Sequence, residues 1–449
     1  MEYSQKKESA QNAPLTTGAP KNENKVLPGQ SPNTEVAKLP FTPTSIDIVF
    51  TLVTFLCGYL YIRLVFLKDV GFGVLLFTGV FSATVLAYTY YSQKRVPRYT
   101  WWYFGYMIAL AGCSFVLENS SGLSFYCKAA LVVSAVYWVL AVTGTRRKGL
   151  DENLPMDLIN GFFVLPFSGF GNLFGCWGVA AKRSKNKNAF YVLCGVIIAV
   201  PLLIWVVSLL IQADAAFNYI IDNFTSWINF NFAQQLVYLF LAVPVSCYFF
   251  GLFYNAVHHT TKMPSAPKQK ETAAATVLFN TILVMFAIVY FIFFGVQVAV
   301  TAGLELAPAY TVSYAQYARE GFFQLCQVAA INFVLFFVTR WFCGIKSKSV
   351  RILLTIVGVQ TLLLIGTAAA KMIIYINHHG FTLLRVLTSW FMATLFVCVV
   401  LFILGVWKQF NYLGISVATA ALAFLVLCCS NVGGLATQGN IAMWKSGRL

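Results

Sequence analysis

Residues 310–340 read YTVSYAQYAREGFFQLCQVAAINFVLFFVTR. The stretch begins polar and rich in tyrosine, and it places Arg319 and Glu320 directly before an apolar run. That run is long enough to cross a bilayer, which takes about 20 helical residues. Charged and amide side chains are costly there and persist where partners or function hold them. The stretch therefore predicts a membrane helix with a polar face, formed by Glu320, Gln324 and Gln327.

The whole chain has the composition of a membrane protein. Of its 449 residues, 59% are hydrophobic and only 10% are charged, whereas about a quarter are charged in soluble domains. Its net charge of +16 comes from Lys and Arg residues between apolar runs. This pattern indicates membrane topology and gives no support for nucleic-acid binding. We expect an all-α, polytopic transmembrane helix bundle whose main partner is the lipid bilayer.

Eleven apolar runs predict about 11 membrane helices within a transmembrane domain at 45–430. Before them, residues 1–44 are polar and predict a disordered tail, because they offer too little apolar surface to offset the entropy of ordering. After them, residues 431–449 form a short tail. The spans lie at about 46–67, 71–91, 100–118, 122–144, 189–212, 233–256, 273–302, 320–343, 350–375, 381–406 and 411–430.

The distribution of positive charge predicts the orientation of these spans. If the N-terminus is cytoplasmic, the inner side carries 23 of the 31 Lys and Arg residues and the outer side carries 8. Inner loops of membrane proteins are enriched in positive charge. We therefore predict a cytoplasmic N-terminus, and an odd number of spans then places the C-terminus outside the cytoplasm.

Two stretches between spans are amphipathic. Residues 153–181 are aromatic, contain Pro155 and Pro166, and have basic residues on both sides, which predicts a segment that lies in the inner interface or dips in and returns. Gly171, Gly175 and Gly178 in this segment suggest close helix packing, and a glycine-rich interfacial loop is the alternative. Residues 213–231 place apolar side chains at helical spacing, so we expect an outer amphipathic helix.

Polar side chains concentrate in the seventh to tenth spans, toward their predicted outer ends. We expect them to face one another, because lipid offers no hydrogen bonds. The simplest arrangement pairs Glu320 with Lys371 or Arg385, either as a structural ion-pair network or as a binding site for an ion or solute. Pro201 and Pro244 interrupt two earlier spans, which suits either a packing kink or a transport site. The candidate cluster comprises Glu320, Arg319, Lys371, Arg385, Gln324, Gln327, Gln297 and Gln360.

Cysteines and enzyme motifs give mostly negative results. Eleven cysteines lie almost all in apolar runs, with no CxxC pair and no histidine at ligand spacing. We read them as small buried hydrophobic residues rather than metal ligands or disulfides. No Walker loop, HExxH or GxSxG motif is present. The sequence therefore predicts no metal, no cofactor and no enzymatic activity.

Four short patterns resemble a bacterial integral-membrane family, the domain of unknown function numbered 4173, with the related 4153. They are IQADAAF (211–217), YAQYAREGFFQL (314–325), MIIYINHHGFTLLRV (372–386) and GLATQGNIAMWKSGRL (434–449). The resemblance implies a bacterial plasma membrane location and a shared outer-face motif set. That set is Asp214, Tyr314, Tyr317, Arg319, Glu320, Gly380, Thr382 and Arg385.

Two function classes remain open. The first is a transporter or channel-like protein, in which the polar faces of the seventh to tenth spans line a path. The second is a non-transporting envelope protein that regulates or scaffolds a membrane-protein partner or forms a homo-oligomer. An intramembrane enzyme has the least support.

Overall fold

The structure is a computed structural model of the chain. It describes residues 42–67, 71–117, 121–146, 150, 153–183, 232–259, 273–301, 314–345, 347–408 and 410–447, together with scattered positions between 192 and 220. Residues 1–41 of the predicted N-terminal tail, half of the fifth span and most of the predicted outer amphipathic helix lie outside these residues.

The first four helices form antiparallel neighbours. A capping box fixes the start of the first helix, because Thr44 Oγ1 accepts from the backbone N–H of Asp47 while the Asp47 carboxylate accepts from that of Thr44. Residues Ile62–Phe66 continue this helix as a π-helical turn. The helices are α1 (Ser45–Tyr61), α2 (Gly71–Tyr91), α3 (Thr100–Val116) and α4 (Ser121–Val142).

Three short helices lie within residues 153–183, and seven longer ones lie within the described residues from 232 onward. The short helices are α5 (Leu154–Ile159), α6 (Leu165–Ser168) and α7 (Asn172–Arg183), with a π-helical turn at Asn160–Val164. The later helices are α8 (Phe232–His258), α9 (Ala273–Thr301), α10 (Tyr314–Cys343), α11 (Lys348–His379), α12 (Leu383–Trp407), α13 (Tyr412–Cys429) and α14 (Val432–Lys445).

The fold class predicted from the sequence is confirmed. Within the described residues there is no strand, and ten helical stretches are long and apolar enough to cross a membrane. These ten include Leu154–Arg183, which the sequence suggested as an interfacial segment. Helix α3 matches the third predicted span and has 17 residues. Helix α14 occupies the predicted C-terminal tail, where no helix was expected.

Buried side chains form two cores. The first joins α1–α4 to α7 and α8 and includes Phe50, Trp138 and Phe250. The second joins α9–α13 and includes Phe336 and Phe402, whose rings stack. Close helix crossings depend on glycine, as at Gly58 of α1, where a Cβ would collide with the Ser246 side chain of α8.

The segment at 153–181 folds as a bent hairpin against α8. A Cβ on Gly251 of α8 would collide with the Pro166 carbonyl, and Asn255 Nδ2 donates to the Leu165 carbonyl at 2.7 Å. The returning helix α7 reaches α1, where Trp177 Nε1 donates to Thr51 Oγ1 at 2.8 Å. Gly251 lies about 10 Å along α8 from its end at His258. The segment therefore enters the bundle and comes back beside the first turns of α1, and its depth in a membrane stays a prediction.

The glycines responsible for this packing differ from those suggested by the sequence. A Cβ on Gly171 or Gly178 would meet nothing within 4 Å, whereas one on Gly161 or Gly169 would collide with neighbouring residues. Glycine content alone did not show which positions face a neighbouring helix, because that depends on how the segment bends.

Candidate functional site

The residues predicted as a polar cluster do not share one inward face. Gln324 and Gln327 are exposed on α10, so the expected inward orientation is not found for these two. The side chains of residues 314–320 lie outside the described part of the structure, although their backbone forms the first two turns of α10. The predicted partners of Glu320 therefore stay a prediction, as do the roles of Arg319, Tyr314 and Tyr317.

Lys371 of α11 lies against the start of α10. A Cβ built on Gly321 would sit 2.6 Å from Lys371 Nζ, which brings the ammonium group beside the residue that follows Glu320. Gln360, deeper in α11, donates to the Ala287 carbonyl of α9 at 3.0 Å. Gln297 of α9 is half-buried. The cluster is thus spread over different depths of the bundle.

Arg385 stabilises the turn between α11 and α12. Its guanidinium donates to the His379 carbonyl at 2.8 Å and to the Gly380 carbonyl, and it covers the Tyr375 ring at 4.2 Å. Gly380 takes φ 73° and ψ −177°, a conformation essentially restricted to glycine. Thr382 caps α12 by accepting from the Arg385 N–H at 3.4 Å. These motif residues therefore shape a tight interhelical turn.

The same turn is held by α14. Asn440 Oδ1 accepts from the Phe381 N–H at 2.5 Å, and Asn440 Nδ2 donates to the Phe381 carbonyl at 3.0 Å. Gly439 leaves room for the Phe381 ring, which a Cβ there would approach to 2.8 Å. Two of the sequence patterns, at 372–386 and 434–449, thus meet in space. The sequence placed Asn440 in a pattern but did not identify it as a contact.

Asp214 lies far along the chain from these residues and has a local role. It is exposed, and its Oδ1 accepts from the backbone N–H of Phe217 at 3.0 Å. Most neighbouring residues lie outside the described part of the structure.

A buried chain of hydrogen bonds crosses the middle of the second core. Tyr290 of α9 donates its hydroxyl to Asn332 Oδ1 at 2.6 Å, and Asn332 Nδ2 donates to Thr361 Oγ1 of α11 at 2.9 Å. Asn332 and Thr361 are fully buried. Polar groups of the seventh to ninth spans therefore do pair with one another, but near mid-helix rather than at the predicted outer ends.

A second polar network, which the sequence reasoning missed, ties together α1, α2 and α8. Asp47 is 1% exposed, and its Oδ1 accepts from the Tyr88 hydroxyl at 2.6 Å and lies 3.0 Å from His258 Nε2. Its Oδ2 accepts from the Thr44 N–H and hydroxyl at 2.7 and 2.8 Å. The signal was present in the sequence, since an acidic residue opens the first apolar run. Every lone pair of this carboxylate has a partner, which is how a buried charge persists.

The first core contains an apolar cavity of about 570 Å³. This is within the range of ligand sites in proteins, about 300–1,000 Å³. Aromatic rings from four separate elements form much of its wall, including those of Tyr61 in α1, Phe77 in α2, Phe167 in the bent hairpin and Phe249 in α8. An engineered cavity of roughly 150 Å³ with such a lining stays dry and takes apolar ligands. The cavity therefore suits a molecule with a long apolar part.

Two lining residues interrupt this apolar wall. Lys128 of α4 faces the cavity, and it lies about 10 Å along the helix from Ser121. A cation inside a helix long enough to cross a membrane is costly, which makes Lys128 a candidate functional residue. Pro244 also lines the cavity, inside α8, where it leaves the carbonyl of residue 240 without its helical donor. Pro201, its predicted counterpart, lies outside the described residues.

A second groove, of about 510 Å³, lies between α11 and α12 and has no charged residue in its lining. Metal ligands do not assemble anywhere in the part of the chain that the structure describes. The cavity in the first core combines an apolar wall with a charged side chain.

Comparison with known proteins agrees with the sequence resemblance. A family model described as "Domain of unknown function (DUF4153)" matches residues 105–449, which include all four sequence patterns. No curated protein matches the chain, and no solved structure does. Because the match covers most of the chain, the chain belongs to the DUF4153 family.

Proposed function

We propose that this multi-pass membrane protein binds an amphiphilic anion in the cavity of its first core and moves it between the two leaflets of the membrane. The single observation that carries the proposal is the cavity of about 570 Å³ with aromatic walls and one cation, Lys128. An apolar chain would fill the cavity volume, and a negatively charged head group would be attracted to the lysine that lines it. Anionic phospholipids have both parts.

Pro244 supports movement as well as binding. A proline inside a membrane helix weakens the local hydrogen-bond pattern and allows the helix to bend. Pro244 lines the same cavity as Lys128 of α4, and this position suits a helix that widens or narrows the cavity. Pro244 thus favours the transport-site interpretation over a packing kink.

This proposal keeps the transporter class predicted from the sequence and relocates its site. The central polar groups of α9–α11 are hydrogen bonded to one another, so we assign them to helix packing. The proposal includes a plasma membrane location with a cytoplasmic N-terminus and no chemical reaction. A membrane-protein partner or a second copy of the chain is not required for it.

Proteoliposomes test the transport step. The vesicles consist of phosphatidylcholine with a trace of phosphatidylglycerol that carries a fluorescent nitrobenzoxadiazole group on one acyl chain. Dithionite destroys the label in the outer leaflet, and label in the inner leaflet stays protected unless the protein brings it out. We expect the wild-type protein to abolish this protection. Protection equal to that of protein-free vesicles would contradict the proposal.

Two variants of α4 localise the effect. Ala135 lines the cavity, so Ala135→Phe should fill it and restore protection of the label. Ala129 is exposed on the same helix, and Ala129→Phe is the matched control that should behave as wild type. Lys128→Met should remove the preference for phosphatidylglycerol over labelled phosphatidylcholine. An equal loss of lipid movement in Ala135→Phe and Ala129→Phe would indicate damage to the helix and would refute the assignment to the cavity.

A further inference from the structure

Four cysteines from three helices converge at one end of the first core. Cys113 is three residues before the end of α3, and Cys429 is the last residue of α13. Their sulfur atoms lie 3.5 Å apart. Directly beside them, Cys127 of α4 hydrogen bonds with Cys428 and accepts from Ser114 Oγ at 3.3 Å. The sequence suggested buried, inert thiols, and it could not show this convergence because Cys113 and Cys429 are 316 positions apart.

The two thiols of the first pair differ in accessibility. Cys429 is exposed, whereas Cys113 is 8% exposed. A disulfide bond is about 2.05 Å long, so the sulfur atoms must approach by roughly 1.5 Å. Rotation of the exposed Cys429 side chain at a helix end can supply that movement. The pair therefore has one thiol that a soluble reagent can reach and a second thiol within reach of the first.

We propose that Cys113 and Cys429 form a reversible disulfide by exchange with a disulfide of a small thiol or of an oxidoreductase. The Cys429 thiolate attacks one sulfur of that disulfide, and the first leaving thiol departs with a proton. The Cys113 thiolate then attacks Cys429 Sγ in the mixed disulfide and releases the second thiol. The two cysteines are oxidised by two electrons, and the external disulfide is reduced to two thiols.

This bond would tie the first helices of the bundle to the last ones. Helix α3 packs in the first core, and α13 contributes to both cores through Leu427 and Leu413. In the orientation predicted from the positive charges, this end of α3 and α13 is outside the cytoplasm. Disulfides form and persist in that compartment of bacteria. The disulfide would therefore link α3 covalently to α13 in a compartment where an oxidant is present. This inference does not depend on the proposed transport.

Peptide mapping of the full-length protein in mild detergent tests the proposal. The protein is treated with oxidised glutathione, remaining thiols are blocked with N-ethylmaleimide, and the digest is analysed by mass spectrometry. We expect a linked peptide that contains Cys113 and Cys429 and disappears after treatment with dithiothreitol. Full alkylation of both cysteines, a persistent glutathione adduct at Cys429, or a link between Cys127 and Cys428 alone would each overturn it.

Melting curves provide a second readout with a matched control. Oxidised glutathione should raise the melting temperature of the wild-type protein, because the bond limits separation of α3 from α13. Cys429→Ala should abolish the rise, and it should fold because Cys429 is exposed. Cys57→Ala removes a buried thiol of α1, and this variant should still show the rise in melting temperature. A rise that persists in Cys429→Ala would refute the proposed pair.

Discussion

Removal of the Asp47 carboxylate should strongly destabilise the fold, because this group connects the start of α1 with the ends of α2 and α8. Leaving a buried donor without its acceptor costs about 1–3 kcal/mol, and Asp47 accepts from the N–H and hydroxyl of Thr44 and from the Tyr88 hydroxyl. The His258 side chain is 29% exposed, so water can solvate it after the loss. The Tyr88 hydroxyl retains His258 Nε2 at 3.2 Å. We therefore expect a loss of about 3 kcal/mol in the free energy of unfolding for Asp47→Ala, mainly from the Thr44 donors.

Equilibrium unfolding in mixed micelles measures this loss. Sodium dodecyl sulfate is added in steps, and unfolding is followed by the reactivity of buried thiols such as Cys57 and Cys176, which are 1% and 0% exposed. Thr44→Ala is the control, because it removes a cap hydrogen bond at the same turn and should cost only about 1 kcal/mol. Asp47→Asn should fall between them, since the amide oxygen can still accept from Tyr88.

A double-mutant cycle then isolates the contact between Asp47 and His258. If the two side chains interact as the 3.0 Å distance indicates, the combined Asp47→Ala and His258→Ala variant should lose less stability than the sum of the single variants. Strict additivity, or an Asp47→Ala variant no less stable than Thr44→Ala, would refute the reasoning.

Three further predictions concern other parts of the bundle. Asn332→Ala should lower the free energy of unfolding by about 1–2 kcal/mol in the same micelle titration, because it removes both hydrogen bonds of the buried chain from Tyr290 to Thr361. An unchanged free energy would contradict a stabilising role of this chain. Gly380→Ala should lower the free energy of unfolding by about 2 kcal/mol, because the backbone conformation of Gly380 excludes a side chain. Gly366→Ala is the control: it lies at an open helical site and should leave the free energy of unfolding unchanged or raise it. Burial lowers the pKa of His259, and the charges of Lys94 and His258 lower it further. The folded state therefore binds a proton at His259 less readily than the unfolded state does. As a result, the free energy of unfolding should fall on acidification from about pH 7.5 to about pH 5.5. His259→Asn, which suits the φ of 49°, should reduce that pH dependence; an identical slope in the variant would contradict it.

Hydrophobic run lengths were sufficient to predict the fold class, because a membrane helix is specified by its own composition. Gln324 and Gln327 show the limit of this reasoning. Their spacing placed them on one face of a helix, but only packing determines which face turns inward.

The cavity and the thiol pair could not be predicted from the sequence for a related reason. Phe77, Phe167 and Phe249 resemble any apolar residues of membrane helices until the bent hairpin places them around one volume. Asp47 is different, because an acidic residue within a span is itself a signal of a buried partner. The partners of Asp47 could not be read from the sequence, because Tyr88 and His258 lie 41 and 211 positions away.

Photocrosslinking of a lipid is the most direct test of the central claim that the first core binds an amphiphilic anion. The wild-type protein is reconstituted with phosphatidylglycerol that carries a diazirine on one acyl chain, irradiated, digested and mapped. The account predicts labelling concentrated on cavity residues such as Phe77, Met107 and Phe249, and loss of that labelling in Ala135→Phe but not in Ala129→Phe. Labels spread evenly over the exposed faces of the helices, and unchanged by Ala135→Phe, would contradict it.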